Sequence, residues 1–145
     1  MSTHQIHVHE SFNAPAATVF DRLADHNSMG EYMSADIRRT KDSTASGEGP
    51  NGTGSVRTLK IFGLSDFDET VVKFLKPAKL EYKITRGSPL KNHLGVITLK
   101  EEGGITTVDW NITFEMGFGG IIVEILLKFA VGRGLAKLKK LIGEK

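Results

Sequence analysis

The chain has no cysteine, which excludes a disulfide framework, a thiolate nucleophile and any cysteine-ligated zinc site. Its first residues, Met1 to Ser11, lack both the basic segment and the apolar core of a secretory leader, so a cytoplasmic location is the expectation. Long hydrophobic runs are missing too. The most apolar stretch, Phe118 to Val131, is interrupted by Glu124 and Lys128 and falls short of the roughly 18–20 uninterrupted residues that a membrane span needs. Charge of one sign is scarce: the net charge is +2, and its excess comes from Lys137, Lys139, Lys140 and Lys145. No basic stripe with interleaved aromatics is visible, so no nucleic-acid partner is expected.

What is present is an ordinary globular composition, 39% hydrophobic and 25% charged over 145 residues, enough for one domain with one sizeable core. Alternation of Ile6, Val8, Glu10 and Phe12 against His7, His9 and Ser11 predicts a half-buried strand over 4–12. Asn13 is a candidate cap for a helix over 15–24, which opens at Pro15 and repeats Val19, Phe20 and Leu23 at helical spacing. A second helical piece is expected over 28–33, with Met29, Tyr32 and Met33 as its apolar side. Six strand-like segments follow, at 35–42, 54–62, 66–75, 79–86, 92–101 and 105–116, separated by turns such as Pro77-Ala78, Gly87-Ser88-Pro89 and Glu102-Gly103-Gly104. Strands joined by short turns pair antiparallel, which makes the middle of the chain a meander.

Residues 119–142 form a predicted helix closed by Gly143, with lysines in the last turns where they suit the helix dipole. Its first half is apolar nearly all round, so it is expected to be covered on several sides. Gly132 and Gly134, each about 1 kcal/mol less favourable than alanine inside a helix, point to a close approach or a kink. The fold class is therefore α+β: a seven-stranded curved antiparallel sheet wrapped around a long C-terminal helix, with two short helices after the first strand.

Gly47-Glu48-Gly49-Pro50-Asn51-Gly52 satisfies the pattern G-x-G-x-x-G, but dinucleotide binding needs a preceding parallel strand and a following helix N-terminus. Between antiparallel strands, the run reads as a mobile hairpin loop. His4, His7 and His9 raise the question of a metal, yet His7 and His9 lie opposite the apolar face of their strand, and no metal is expected. Glu10 shares the apolar face and either lines a cavity or sits at the sheet rim; burial would raise its pKa.

Four polar residues, Arg57, Glu69, Tyr82 and His93, stand one on each of four successive predicted strands. By alternation Arg57 goes with Leu59, Glu69 with Val71, Tyr82 with Leu80 and Ile84, and His93 with Gly95, Ile97 and Leu99, so a curved sheet brings all four toward one cavity. An arginine offers a fixed positive fork, a tyrosine hydroxyl donates to a developing enolate, and a carboxylate or imidazole moves a proton. As catalytic candidates they suit enolisation, aldol-type cyclisation or dehydration of a carbonyl compound. The competing reading is a structural Arg57–Glu69 ion pair. Candidate ligand contacts are Glu10, Phe12, Leu59, Val71, Ile84, Ile97, Trp110 and Phe114 from the strands, with Tyr32, Leu127 and Val131 from the helical segments. For Trp110 and Phe114, which alternate with Met116, packing against the long helix is the alternative role.

The order strand, two short helices, six strands and long helix resembles the SRPBCC superfamily, also called START-like or birch-pollen-allergen-like. So do Phe12-Asn13-Ala14-Pro15 with Val19-Phe20 and Leu23-Ala24-Asp25, Gly54-Ser55-Val56-Arg57, Glu69-Thr70-Val71, Pro77, Leu80-Glu81-Tyr82, Asn92-His93, Gly95, Trp110 and Phe114. Within it, the chain is similar over essentially its whole length to the polyketide cyclase/dehydrase and lipid-transport group, whose plant members include lachrymatory factor synthase. The resemblance implies that Arg57, Glu69 and Tyr82 fall where such members keep an arginine, a glutamate and a tyrosine in their pockets. The resemblance also implies that His93 stands where tyrosine is commoner and that the Gly47–Gly52 loop lies near the pocket mouth.

The expected function is binding of a small hydrophobic molecule, such as a fatty acid, isoprenoid or polyketide-like compound, in a pocket of roughly 300–1,000 Å³ between helix and sheet. The alternatives are a cofactor-free cyclase, dehydratase or isomerase in the same pocket, and an interaction module. The last would use Lys137, Lys139 and Lys140 beside Leu138, Leu141 and Ile142 for weak contact with a membrane surface. No cofactor is expected, and the chain is expected to be a monomer or homodimer.

Overall fold

Parity of apolar residues sets the strands, and the strands form one layer. The computed structural model describes residues 1–61 and 63–143, so Phe62, at the predicted end of the third strand, and Lys145 of the basic cluster lie outside the described residues. The elements are β1 (Ser2–Phe12), α1 (Ala16–Ala24), a 3₁₀ segment (His26–Glu31), β2 (Asp36–Lys41), β3 (Val56–Lys60), β4 (Phe67–Leu75), β5 (Lys79–Arg86), β6 (Lys91–Glu102), β7 (Ile105–Met116) and α2 (Gly120–Gly143). The sheet order is β1-β7-β6-β5-β4-β3-β2, antiparallel throughout. β2 to β7 thus form the expected meander, and β1 returns to pair with β7. One face buries Ile6, Phe12, Leu59, Val71, Leu80, Ile97, Trp110 and Phe114; a one-residue slip would turn such a set outward, so burial of one face fixes the register.

The helix starts differ from the sequence reading. Pro15 occupies the N-cap of α1 with no side-chain cap, and Asn13 does not serve. The Ala16 N–H donates instead to Glu101 Oε1 of β6 at 2.7 Å, so a distant strand satisfies one of the free amides at the helix start. The second helical piece begins earlier than predicted, because the Asp25 carboxylate accepts from the Asn27 N–H and caps the 3₁₀ segment. The loop between β2 and β3 joins two antiparallel strands, as expected, and is braced from within. Ser43 Oγ donates to the Thr53 carbonyl at 2.6 Å, Glu48 Oε1 accepts from the Thr53 N–H at 2.7 Å, and Asn51 Oδ1 accepts from Arg39 Nη1 and from the His26 N–H.

α2 runs along β1. Gly120 lies against the His4 ring, the Gly132 side faces Val8, and Lys139 Nζ reaches Glu10 Oε1 at 3.2 Å. Gly134 answers a close approach: a Cβ there would press on Met33 Sδ and on the Tyr32 carbonyl. The inner stripe of α2 is Gly120, Val131, Gly134, Leu135, Leu138 and Ile142, with Val123 and Leu127 partly buried. Its first half is not covered on several sides, contrary to the sequence reading. Ile121, Ile122, Ile125, Leu126 and Phe129 are 61–68% exposed, because a single sheet covers a helix on one face and, among the described residues, no second layer lies over the other. Among the described residues no helix is long and apolar enough to cross a membrane.

Candidate site: a buried polar cluster on the sheet

Arg57 of β3 and Glu69 of β4 are register partners, so their side chains leave the sheet side by side on its buried face. Arg57 Nε donates to Glu69 Oε1 at 2.7 Å, with the two side chains 4% and 10% exposed. Tyr82 of β5 lies beside them; the guanidinium carbon sits 4.6 Å from its ring centroid, a cation–π contact strengthened by desolvation. Trp110 Nε1 of β7 donates to the Tyr82 hydroxyl oxygen at 2.8 Å, which leaves the hydroxyl proton free to be given elsewhere. His93 of β6 packs 5.5 Å from the Tyr82 ring, and its Nδ1 accepts from the Ile84 N–H at 3.0 Å. Alternation thus brings together all four residues picked from the sequence.

Two members were missed. His26, 1% exposed, places Nε2 2.8 Å from Ser55 Oγ and Nδ1 3.4 Å from Arg57 Nη1. Arginine only donates, so Nδ1 is the acceptor and Nε2 carries the proton toward Ser55. The signal was present: His26 follows buried Leu23 by three residues, continuing the inner face of α1 past its end.

Burial governs the protonation states. Desolvation pushes the His26 imidazole down to about 3, with the Arg57 and Arg39 charges acting in the same sense. It also lowers His93, against the opposing pull of Glu69. The Tyr82 hydroxyl is raised by desolvation and by the neighbouring Glu69 charge, and Tyr32 is raised mainly by burial. For Arg57 desolvation works against the charge, but the charge and hydrogen bond of Glu69 act the other way and the pKa rises. The cluster therefore holds a fixed cation, neutral imidazoles and protonated phenols.

Arg57 Nη2 is buried and has no hydrogen-bond partner among the described residues. Beside Arg57 lies a cavity of about 10 Å³, walled by Leu23, Ala24, His26, Val71, Leu80, Glu81, Tyr82 and Ile97, room for a single water molecule. The expected opening of several hundred Å³ is not present at this cluster. Facing side chains of α1, the 3₁₀ segment and the sheet close over it.

The other expected contacts divide. Leu59, Val71 and Ile97 are buried around the cluster, Phe12, Trp110 and Phe114 are buried toward β1, and Val131 is buried on α2, whereas Ile84 and Leu127 are only partly covered. Tyr32 is buried, with its hydroxyl donating to the Arg22 carbonyl at 3.3 Å. Glu10 stands apart: its carboxylate takes the Ser11 N–H and Lys139 at the sheet rim. Of the three N-terminal histidines, His7 and His9 are exposed, while His4 is buried, stacked on Phe114 with Nδ1 3.2 Å from Glu124.

Gly95 is the register partner of Tyr82, and the Tyr82 ring lies directly over it. Gly95→Ala should displace that rigid ring, cost about 1–3 kcal/mol as overpacking and change the Trp110 fluorescence as its hydrogen bond to Tyr82 breaks. Denaturation and emission spectra both unchanged would refute this packing.

The chain matches the family described as "Polyketide cyclase / dehydrase and lipid transport" over residues 3–143. No curated protein matches it. Among solved structures, it is similar to a START superfamily protein from Mycobacterium smegmatis, with 13% identity, TM-score 0.79 and coverage of 97% of this chain and 98% of that one. It is also similar to the protein XoxI from Bacillus cereus, with 20% identity, TM-score 0.71 and coverage of 95% and 94%. Ara h 8.0201 matches with 14% identity, TM-score 0.67 and coverage of 98% and 99%. At these identities the likeness establishes the fold.

Proposed function

Because the chain belongs to the polyketide cyclase / dehydrase and lipid transport family, we propose that it binds a small hydrophobic molecule with a carbonyl or carboxyl end, held between α2 and the sheet with its oxygen at Arg57. The observation that carries this reading is the unpaired, buried Nη2 of Arg57 beside a cavity. A buried donor without an acceptor is costly, and an oxygen supplied by a ligand removes that cost through a charge-assisted hydrogen bond. The free Tyr82 hydroxyl proton offers a second donor close by.

A ligand larger than water needs space that the closed arrangement lacks. That space comes from outward movement of α2, or of the α1 end and 3₁₀ segment that supply Leu23, Ala24 and His26 to the cavity wall. The chemistry of the cluster favours holding over turnover: a neutral imidazole pushed down to about 3 is a poor base near neutral pH, and the Glu69 carboxylate is engaged by Arg57. Cyclisation or dehydration of a carbonyl substrate would use the same Arg57 and Tyr82 donors, with Glu69 as the candidate proton acceptor.

The test is displacement of a fluorescent apolar probe by dodecanoic acid, dodecanol and dodecane, alongside native mass spectrometry of the purified protein for a co-purifying hydrophobic molecule. The acid should bind about tenfold or more tightly than the alkane, a difference of about 1.4 kcal/mol. No saturable binding by any of the three, with no adduct, would overturn the proposal; equal binding by all three would remove Arg57 as the anchor.

A further inference from the structure

The outward face of α2 has no role in the buried cluster. Ile121, Ile122, Ile125, Leu126 and Phe129 line it, 61–68% exposed, and Phe118 just before the helix is fully exposed. These residues follow at helical spacings of one, three and four, so they make one continuous patch rather than scattered surface residues. Past Phe129 the same face changes character. Arg133, Lys137 and Lys140 succeed one another at spacings of four and three, all exposed, and exposed Lys128 flanks the apolar part. No acidic residue lies on this outward face among the described residues; Glu124 turns inward to His4.

Further exposed apolar residues stand at the end of the sheet where the helix begins. β1 pairs Ser2 with Met116, and the antiparallel meander puts the β3–β4 hairpin at the same end of the sheet as the β7–α2 junction. Met1 and Leu64, 75% and 63% exposed, therefore lie at the same end as Phe118. A second copy packed helix to helix would cover the outward face but not this end. A flat surface laid across the start of α2 meets that face together with Phe118 and with Met1, which adjoins the Ser2–Met116 pair.

We infer that this corner docks on an anionic lipid surface, the first half of α2 dipping its apolar face into the headgroup–acyl boundary while Arg133, Lys137 and Lys140 rest on the phosphates. Interfacial helices bury an apolar face about 5–10 Å deep and add electrostatic attraction to anionic lipid; in α2 the apolar and basic segments follow one another along a single face. The charge pattern specifies the partner: on that face the described charged side chains are cationic, and they are attracted to anionic headgroups, at roughly fivefold in affinity per lysine. Nothing in this depends on what the buried cluster binds.

Vesicle co-sedimentation tests it, with phosphatidylcholine alone and phosphatidylcholine mixed with phosphatidylglycerol, at low and high salt. The protein should pellet with the anionic vesicles at low salt and be released by salt. The double variant Ile122→Ser/Leu126→Ser should weaken binding about tenfold or more, and Lys137→Gln/Lys140→Gln roughly 25-fold. All four sites are exposed, so thermal melting should be unchanged. The inference fails if anionic vesicles do not bind the protein at low salt, or if binding is indifferent to the apolar substitutions. It fails as well if sedimentation shows a concentration-dependent dimer that Ile122→Ser dissolves, which would assign the face to a second copy.

Discussion

Glu69→Ala should remove about 3–5 kcal/mol of unfolding free energy, the loss typical when one partner of a buried ion pair is deleted. Arg57 would keep its charge in a desolvated place, with a 3.4 Å contact to neutral His26 as its remaining hydrogen bond and with Nη2 already unpaired. Arg57→Met/Glu69→Leu removes both charges while filling a similar volume, and should restore most of the lost stability or exceed the parent. Urea denaturation of the two variants measures this directly. A loss below about 1 kcal/mol for the single variant would resemble a solvent-exposed pair and contradict the burial of both side chains. The double variant also separates roles: it should remain folded while losing preference for an acidic over an apolar ligand.

Acid should unfold the protein earlier than its carboxylates alone would require. His26 has its pKa lowered from 6.5 to about 3 in the folded chain, so below pH 6.5 the unfolded chain binds a proton that the folded chain refuses. Stability therefore falls as pH drops from 6.5 toward 3 and is constant above that window. Each unit of depression is worth about 1.4 kcal/mol, several kcal/mol over the full range, and lowered His93 acts in the same direction. Asp68 and Glu48 are carboxylates held below their ordinary 3.8 and 4.5, and their contribution is lost only at lower pH. Urea midpoints measured from pH 7 to pH 4.5 thus report mainly the buried histidines. His26→Gln keeps a donor for Ser55 and an acceptor for Arg57 and should flatten that slope substantially; an unaltered slope would place the acid-sensitive group elsewhere.

The fold was legible because period-two alternation is a local signal. It set the ends of β5 and β7, and it gave the faces of Arg57, Glu69, Tyr82 and His93. Ångström-scale geometry was not legible. β4 carries register shifts between Asp68 and Glu69 and between Val71 and Lys73, which no local pattern announces, and the size of the cavity beside Arg57 depends on how α1 and the 3₁₀ segment close over it. His26 and Ser55 escaped because neither lies on an alternating strand face; they meet through a tertiary contact between the 3₁₀ segment and the residue before β3. On α2, an all-apolar stretch does not reveal which side meets the sheet, so covering it everywhere was the natural inference and the wrong one.

The pairing of β1 with β7 also constrains how the chain is made. Ser2 meets Met116 and Phe12 meets Thr106, so the first strand of this sheet to leave the ribosome has the last one as its partner. At about 5–20 residues per second, β1 waits roughly 5–20 s with its apolar face and backbone edge unpaired. The meander from β2 to β6 can form locally in that interval, because its strands are consecutive in the chain and, apart from the 42–55 loop, are joined by short turns. Closure by β1 adds the most distant contacts in the sheet and is therefore the step that pays the largest loop entropy. A nascent chain stalled before Ile105 would hold a sheet that lacks both of these strands, which makes β1 the segment for which chaperone protection during synthesis matters most.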